Sequence, residues 1–408
     1  MVDRTEAEVA IIGAGAAGLS LAHHLLAAGA GAPDIALIEA PPGPLRPPER
    51  TWCFWEEGPG RYDEVLSARW SRLRVKDREG TPFPLDLGPY RYKMLRSGAF
   101  ERFVADGFRG RSVRRFEAAV DEVRDTADGA EVRAARADGG RLALRARWVF
   151  DSRPVRRLPD ARTHLLQHFR GWFVRSERPV FDPATADLMD FHCPQPARGL
   201  AFVYALPLSD REALVEYTLF SADPLPAEAY RRALRSHLRG AYGLTDFEIG
   251  STESGVIPMT DGRFPGQAGA RVFRIGTAGG ATRPSTGYTF AAVQRQSRAI
   301  AAALRRGGTP RPPAAYPARA RLLDAVMLHA LDSGRLDGPR FFTDLFRTVP
   351  APRLLRFLDG ETGWRQDLAI GLRVPIGPMA GALARLPLLP KRPAGRRPPV
   401  RPAHGADA

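Results

Sequence analysis

The chain has 408 residues, 44% of them hydrophobic, enough to bury a sizeable core and to build about two or three structural regions. Its only cysteines, Cys53 and Cys193, exclude a disulfide framework and a paired-cysteine zinc site and fit a reducing cytoplasm, and no run of about twenty residues is apolar without proline or charge, as a spanning helix requires. The formal charge of +15 rests on 57 arginines and the lysines Lys76, Lys93 and Lys391; it suits an anionic membrane surface or is the Arg and Ala bias of GC-rich coding, and no basic helix, zinc finger or RNA-binding aromatic motif supports nucleic acid.

Asp3, Glu6 and Glu8 stand where a secretory signal would need positive charge. Residues 8–12 read as a short buried strand, 16–29 as a helix with Leu19, Ala22, Leu25 and Leu26 on one face, and 34–39 as a second strand, together a β-α-β unit. A proline-rich loop over 40–48 leads to an aromatic-rich stretch, 50–95, with strand-like pieces at 70–76 and 81–85. The pattern predicts a helix over 97–107, then strands at 111–117, 119–124, 130–137 and 141–151, whose alternation and glycine turns suggest one antiparallel meander. Strands at 165–175, 200–206 and 213–220 and a helix at 226–241 form a substrate-facing sheet. A strand returns at 271–276 and passes through a glycine-rich turn into a helix at 287–306, so the nucleotide region is discontinuous. Helices follow at 314–332, 338–347 and 351–359, and the basic residues of 391–408 predict a disordered tail.

Gly13-Ala14-Gly15-Ala16-Ala17-Gly18 sits between the first strand and helix. The first glycine permits the tight turn, the second lets backbone approach a pyrophosphate, and the third allows close helix packing, with the helix N-terminus facing the phosphates. Alone the triplet is weak evidence, but Glu39 follows Gly18 by 21 residues, at the end of the second strand, where a carboxylate accepts from ribose hydroxyls. FAD and NAD both remain open to this motif. Gly276-Thr277-Ala278-Gly279-Gly280 favours FAD, because flavoproteins of this architecture set a late strand-loop-helix against the ribityl chain and isoalloxazine. Thr277 stands where many of them carry an acid.

Six blocks then resemble the flavoprotein lycopene β-cyclases of bacteria, in order and spacing, over about residues 8–305: Arg50-Thr-Trp-Cys-Phe-Trp55, Tyr92-Lys-Met-Leu-Arg-Ser97, Val149-Phe-Asp-Ser-Arg-Pro154, Val215-Glu-Tyr-Thr218, Gly255-Val-Ile-Pro-Met259 and Gly276-Thr-Ala-Gly-Gly-Ala-Thr-Arg-Pro-Ser-Thr-Gly-Tyr288. The last, with its Thr-Arg-Pro-Ser-Thr-Gly-Tyr continuation, is the most specific. The resemblance implies an enzyme that needs reduced FAD, with NAD(P)H as electron source, and isomerises lycopene through γ-carotene to β-carotene without net redox change. It places Arg50, Arg96, Asp151, Gly276, Gly279, Gly280, Thr286 and Gly287 at the FAD together with Gly13, Ala14, Gly15, Ala17, Gly18 and Glu39. The fold class it implies is α/β: a Rossmann-type FAD-binding domain from 1–50, 96–160 and 260–310, an inserted antiparallel β substrate domain from 51–95 and 161–259, and a C-terminal helical region over 311–390.

A polyene end group offers neither charge nor hydrogen-bonding handle, so ring closure needs an acid to protonate a carbon-carbon double bond and a pocket that tolerates a carbocation. Glu216 is the sole ionisable group in 213–220 except Tyr217, with Leu214 and Thr218 on its face, and it matches the acidic position of the cyclase motif. Apolar surroundings would keep it protonated; the alternative is a strand glutamate reaching solvent. Asp261 is a weaker candidate for a second carboxylate, or caps a turn. Trp52, Phe54, Trp55, Phe202, Tyr204, Tyr217 and Tyr288 offer ring faces to a cation, or serve as core, and Trp52, Trp55, Tyr204, Tyr217 and Tyr288 are the expected substrate contacts. His164 and His168 lack a carboxylate to complete a metal site. An insoluble substrate drawn from lipid predicts peripheral attachment to the inner face of the cell membrane, through arginines and apolar residues of the C-terminal helices. The competing readings are an FAD monooxygenase or polyprenyl reductase, and a non-catalytic isoprenoid carrier.

Overall fold

The computed structural model describes residues 2–393. In chain order the elements are β1 (Val2–Ile12), α1 (Ala16–Leu26), β2 (Ile35–Glu39), β3 (Thr51–Glu57), β4 (Ala68–Trp70), β5 (Arg72–Lys76), β6 (Pro82–Asp86), β7 (Tyr90–Arg96), α2 (Ser97–Asp106), β8 (Val113–Glu117), β9 (Ala119–Asp125), β10 (Ala130–Ala135) and β11 (Arg141–Asp151). Then come β12 (His164–Arg175), β13 (Thr185–Asp190), β14 (Leu200–Pro207), β15 (Glu212–Ser221), α3 (Ala227–Tyr242), β16 (Glu248–Thr260), β17 (Val272–Arg274), α4 (Phe290–Arg305), α5 (Ala318–Asp332), α6 (Gly338–Thr348), α7 (Ala351–Leu358), α8 (Trp364–Gly371) and α9 (Ile376–Arg385).

The first sheet runs β8-β2-β1-β11-β10-β9, with β17 also on β11. The pairs β8/β2, β2/β1, β1/β11 and β11/β17 are parallel. Val9 to Ile12 and Ile35 to Ile38 are buried on both faces, which is why these strands read as unbroken apolar runs. Leu19, Leu25 and Ala22 of α1 pack with Val293 and Ile300 of α4 in one core. The meander expected over 111–151 holds only for β9, β10 and β11. A single residue, Ala118, separates β8 from β9, too few for a hairpin turn, and β8 instead pairs parallel to β2 after the α2 crossover.

The second sheet runs β16-β12-β15-β14-β13-β5-β6, and a third, three-stranded sheet runs β3-β7-β4. One face of the second sheet packs Trp172, Val215 and Tyr217 against Leu234 and Leu238 of α3. The other packs Phe202 and Phe220 with Tyr92 of β7, Leu328 of α5 and Phe342 of α6. Alternation along β15 therefore sends neighbouring residues into different cores.

Among the described residues five helices, not three, follow α4; Arg373, Pro375 and Pro378 interrupt the apolar pattern that α8 and α9 would otherwise show. Of the predicted disordered tail, Arg392 exchanges backbone hydrogen bonds with Ala161 at 3.1 and 2.7 Å, so the chain is still held there; positions 394–408 lie outside the described residues. Among the described residues no helix is long and apolar enough to cross a membrane.

Candidate active site

Gly13 turns the chain at the end of β1 with φ +96°, a conformation a Cβ disfavours. Gly13 N donates to Ile38 O at 2.8 Å, and Ser152 Oγ to Ile12 O at 2.7 Å, locking the turn between its neighbours. A Cβ at Gly18 would fall 1.9 Å from Gly13 O, whereas one at Gly15 would meet nothing within 4 Å. Gly15 is the N-cap of α1, with no side-chain cap and no acid in the first turn, so the positive end of the helix faces open ground. The late glycine turn closes on the same place: a Cβ at Gly276 would fall 2.9 Å from Ala17 Cβ. Ala14 is buried beneath them. This cradle fits a pyrophosphate.

Glu39 ends β2, its carboxylate 3.0 Å from Arg46 and 3.3 Å from Arg115, and burial pushes its pKa up. Asp151 faces Ile12 across β1 and β11 but is occupied by the Arg153 guanidinium at 2.8 Å. Arg50 and Arg96, expected at the FAD, make contacts on the second sheet. Arg50 Nη1 donates to Ser254 O at 2.6 Å, and Arg96 pairs with Glu49 and lies 4.7 Å from the Phe173 ring centroid, because β3 and β7 carry both to the rim of the second sheet.

From Gly276 to Tyr288 the loop is stiffened by a hydroxyl ladder, Thr277 to Thr282 to Thr289, at 2.9 Å per step. Gly279 and Gly280 close its 3₁₀ turn, and the Thr286 hydroxyl accepts from Tyr288 N at 3.4 Å. A Cβ at Gly287 would fall 2.1 Å from Gln167 Oε1, so the loop abuts β12 of the second sheet and delivers Tyr288 onto it. Arg283, fully buried, donates to Asp324 at 3.0 Å and to the carbonyls of Phe357 and Leu358 at 3.0 Å, riveting the loop to α5 and to the C-terminus of α7.

Glu216 lies in the middle of the second sheet. Across the strands, Tyr204 faces Glu216, Glu216 faces Gly171, and Gly171 faces Glu253. The Thr218 hydroxyl donates to Glu216 Oε1 at 2.7 Å. Burial first, and then the Glu253 charge, push the Glu216 carboxyl up to about 8, against the pull of Thr218. Such a group holds its proton at neutral pH. Burial also raises Tyr204, whose neighbours include Tyr288 and Glu216.

The wall over this row is aromatic. Tyr92 and Tyr288 hydroxyls are 3.0 Å apart, and Trp55 meets Tyr288 edge to face with centroids 4.7 Å apart. Phe202 packs against Tyr204 at 5.1 Å. The cavity between Cys53, Trp55, Tyr288, Tyr316 and Asp359 is about 10 Å³, scarcely room for one water.

Four expected residues fall elsewhere. Asp261 accepts from the amides of Arg162 and Thr163 at 2.8 and 2.9 Å and caps a turn; it follows Glu253 by eight residues along β16, about 25 Å away at the strand rise. Trp52 and Phe54 alternate to the opposite face of β3 from Trp55, Trp52 stacking on Phe290 at 5.6 Å. Tyr217 points to the α3 side, its hydroxyl donating to Pro194 O at 2.7 Å. His168 bonds Ser221 at 2.7 Å and Tyr230 at 2.6 Å, while His164 meets Arg392 O at 3.0 Å. Sequence reasoning missed Glu253, two residues before the Gly-Val-Ile-Pro-Met block, and Asp359, which burial pushes up to about 6 beside Trp55 and Tyr288. Nothing local marks either as buried.

Residues 8–384 match the family model described as lycopene cyclase protein, beyond the 8–305 span of the motif resemblance and into α9. No curated protein matches the sequence. Among solved structures, a geranylgeranyl bacteriochlorophyll reductase-like protein from Thermoplasma acidophilum is similar at 12% identity, covering 94% of this chain and 100% of that one, with a TM-score of 0.61. A flavoprotein/dehydrogenase from Cytophaga hutchinsonii is similar at 13% identity, 93% and 99% coverage and a TM-score of 0.59. The p-nitrophenol 4-monooxygenase of Pseudomonas putida gives 16% identity, 96% and 100% coverage and a TM-score of 0.56. These likenesses establish the fold.

Proposed function

This chain belongs to the lycopene cyclase protein family, and from that premise we propose that it is a lycopene β-cyclase, closing the end groups of lycopene through γ-carotene to β-carotene with no net redox change. The observation that carries the reading is Glu216, an interior carboxyl held neutral beside a wall of aromatic rings and next to the late glycine loop. Its proton goes to the terminal carbon-carbon double bond; the next double bond along the chain closes on the resulting tertiary cation, which moves the charge to a ring carbon, and a proton from the neighbouring carbon passes to the Glu216 carboxylate, forming the ring double bond and restoring the acid. Tyr204, Tyr288 and Trp55 present ring faces to the cation and exclude water that would trap it.

Gly13, Gly15, Gly18 and the first turn of α1 would hold the FAD pyrophosphate, Glu39 a ribose, and Gly276 to Gly287 the ribityl end; NAD(P)H would be the source of electrons. Bound and reduced, FAD supplies a negative charge that offsets the cation.

A membrane surface is the source of substrate in this reading. Trp364, Leu368, Leu372, Ile376, Leu383 and Leu388 are exposed between 48% and 81% on α8, α9 and the turn after them, amid exposed Arg365, Arg373, Arg385 and Lys391. An apolar patch rimmed by cations matches an anionic bilayer.

Expression in a lycopene-accumulating bacterium tests the function. β-carotene is the expected pigment, and Glu216→Gln should abolish it while flavin remains bound. Anaerobic incubation with reduced FAD should close rings without stoichiometric NADPH loss; oxygenated or saturated product would instead favour the monooxygenase or reductase reading.

A further inference from the structure

Glu216 is not the only carboxyl in the interior row. Glu253, 8% exposed, occupies the matching place two strands away, and the position between them is Gly171. Any side chain there would intrude: a Cβ on Gly171 would lie 3.2 Å from Glu216 Cβ and 2.9 Å from Leu214 Cδ1. The glycine leaves no side chain between the two glutamates, whose backbones lie two strand spacings apart, about 10 Å. Their proximity is felt by Cys53 of β3, whose thiol is pushed up first by burial and then by both carboxyl charges.

The two acids are held differently. Glu253 accepts from Thr51 N at 3.2 Å and from Thr51 Oγ1 at 2.6 Å, and the Arg50 and Arg96 guanidiniums act on it from the rim. An amide N–H can only donate, so Thr51 favours the anion. Burial is the larger influence and raises the Glu253 carboxyl, against the pull of Thr51, Arg50 and Arg96. Glu216 has one hydroxyl, that of Thr218, and no cation among its influences. The other titratable groups facing it are Tyr204 from β14 and Cys53 from β3. Tyr92 and Tyr288 stand behind Cys53 and Tyr204.

We infer that Glu253 is a positioning residue for the proton on Glu216: an ionised carboxylate, anchored by Thr51 and facing Glu216 across the side-chain-free position Gly171, that keeps Glu216 in its acid form. The two carboxyls interact through their charges, and the surroundings of each decide which one keeps its proton. The role in catalysis rests on the cyclase reading; the charge coupling of the two carboxyls does not.

The test is infrared titration of the purified full chain carrying ¹³C-carboxyl glutamate, with Glu216→Gln identifying the protonated Glu216 band. Removing the like charge in Glu253→Gln should let Glu216 ionise at lower pH, by about one unit or more. Thr51→Val, which keeps the shape but removes the hydroxyl donor, should move the band the same way by less. A band unmoved in both variants, or displaced to higher pH, overturns the inference and leaves burial alone as the cause. Cyclisation rates give the second arm: the alkaline limb in Glu253→Gln should fall at lower pH in step with the band. If Glu216→Gln still closes rings, the cyclase role of Glu216 fails, while the infrared result still decides the pair.

Discussion

A carboxyl kept neutral inside a protein costs stability, and Glu216 makes that cost measurable. Its ordinary pKa of 4.5 is raised to about 8 in the folded chain. Between those values the native state keeps a proton that the unfolded chain releases, so stability falls as pH rises through the window. Glu216→Gln should therefore be more stable than wild type by on the order of 4 kcal/mol near pH 8, with the difference vanishing below about pH 4. Melting curves across that range check it; a difference independent of pH would show that Glu216 is ionised when folded. Gly15 offers a complementary residue-scale experiment. Because a Cβ there meets nothing within 4 Å, Gly15→Ala should melt like wild type yet lose flavin affinity at least about tenfold, read by flavin absorbance after gel filtration. Unchanged retention would place the pyrophosphate elsewhere.

At the scale of elements, the loop from Gly276 to Tyr288 joins the glycine cradle to the sheet that carries Glu216, and Arg283 fixes its outer side. A guanidinium at 0% exposure depends on Asp324, itself 3% exposed, and on the carbonyl end of α7. Asp324→Asn removes the charge partner from a buried cation and should cost about 3–5 kcal/mol in chemical denaturation. A loss under about 1 kcal/mol would mean that the clamp is idle. Strand alternation explains which aromatic expectations held together. Trp55, Tyr204 and Tyr288 converge, whereas Trp52, three residues before Trp55, and Tyr217, next to Glu216, lie on the other side of β3 and β15. In β15 local sequence is blind to this, because both faces are buried and no exposed polar residue marks a side facing solvent.

For the whole molecule, the proposed contact with a membrane surface rests on the exposed apolar residues of α8 and α9. Trp364, Leu368 and Leu372 recur every fourth residue on an exposed face, while Asp367 and Ile370 turn inward. Leu368→Ser with Leu372→Ser should reduce co-sedimentation with anionic vesicles at least about tenfold, since each buried leucine contributes about 1.5–3 kcal/mol. Binding that is unaffected would assign the patch to another partner.

The sequence by itself determined the β-α-β unit and the two glycine turns, because each depends on residues close together in the chain, read through backbone geometry or apolar periodicity; the cyclase blocks, and Glu216 as the candidate acid within one of them, came from resemblance to a family. Only the tertiary structure decided that β8 leaves the meander, that Asp261 caps a turn about 25 Å along the strand from Glu253, and that Glu253 is the second carboxyl in the row. Strand register across β15, β12 and β16 brings together residues 216, 171 and 253. That register is fixed by the packing of α3 on one face and of the C-terminal helices on the other, interactions between segments far apart in sequence.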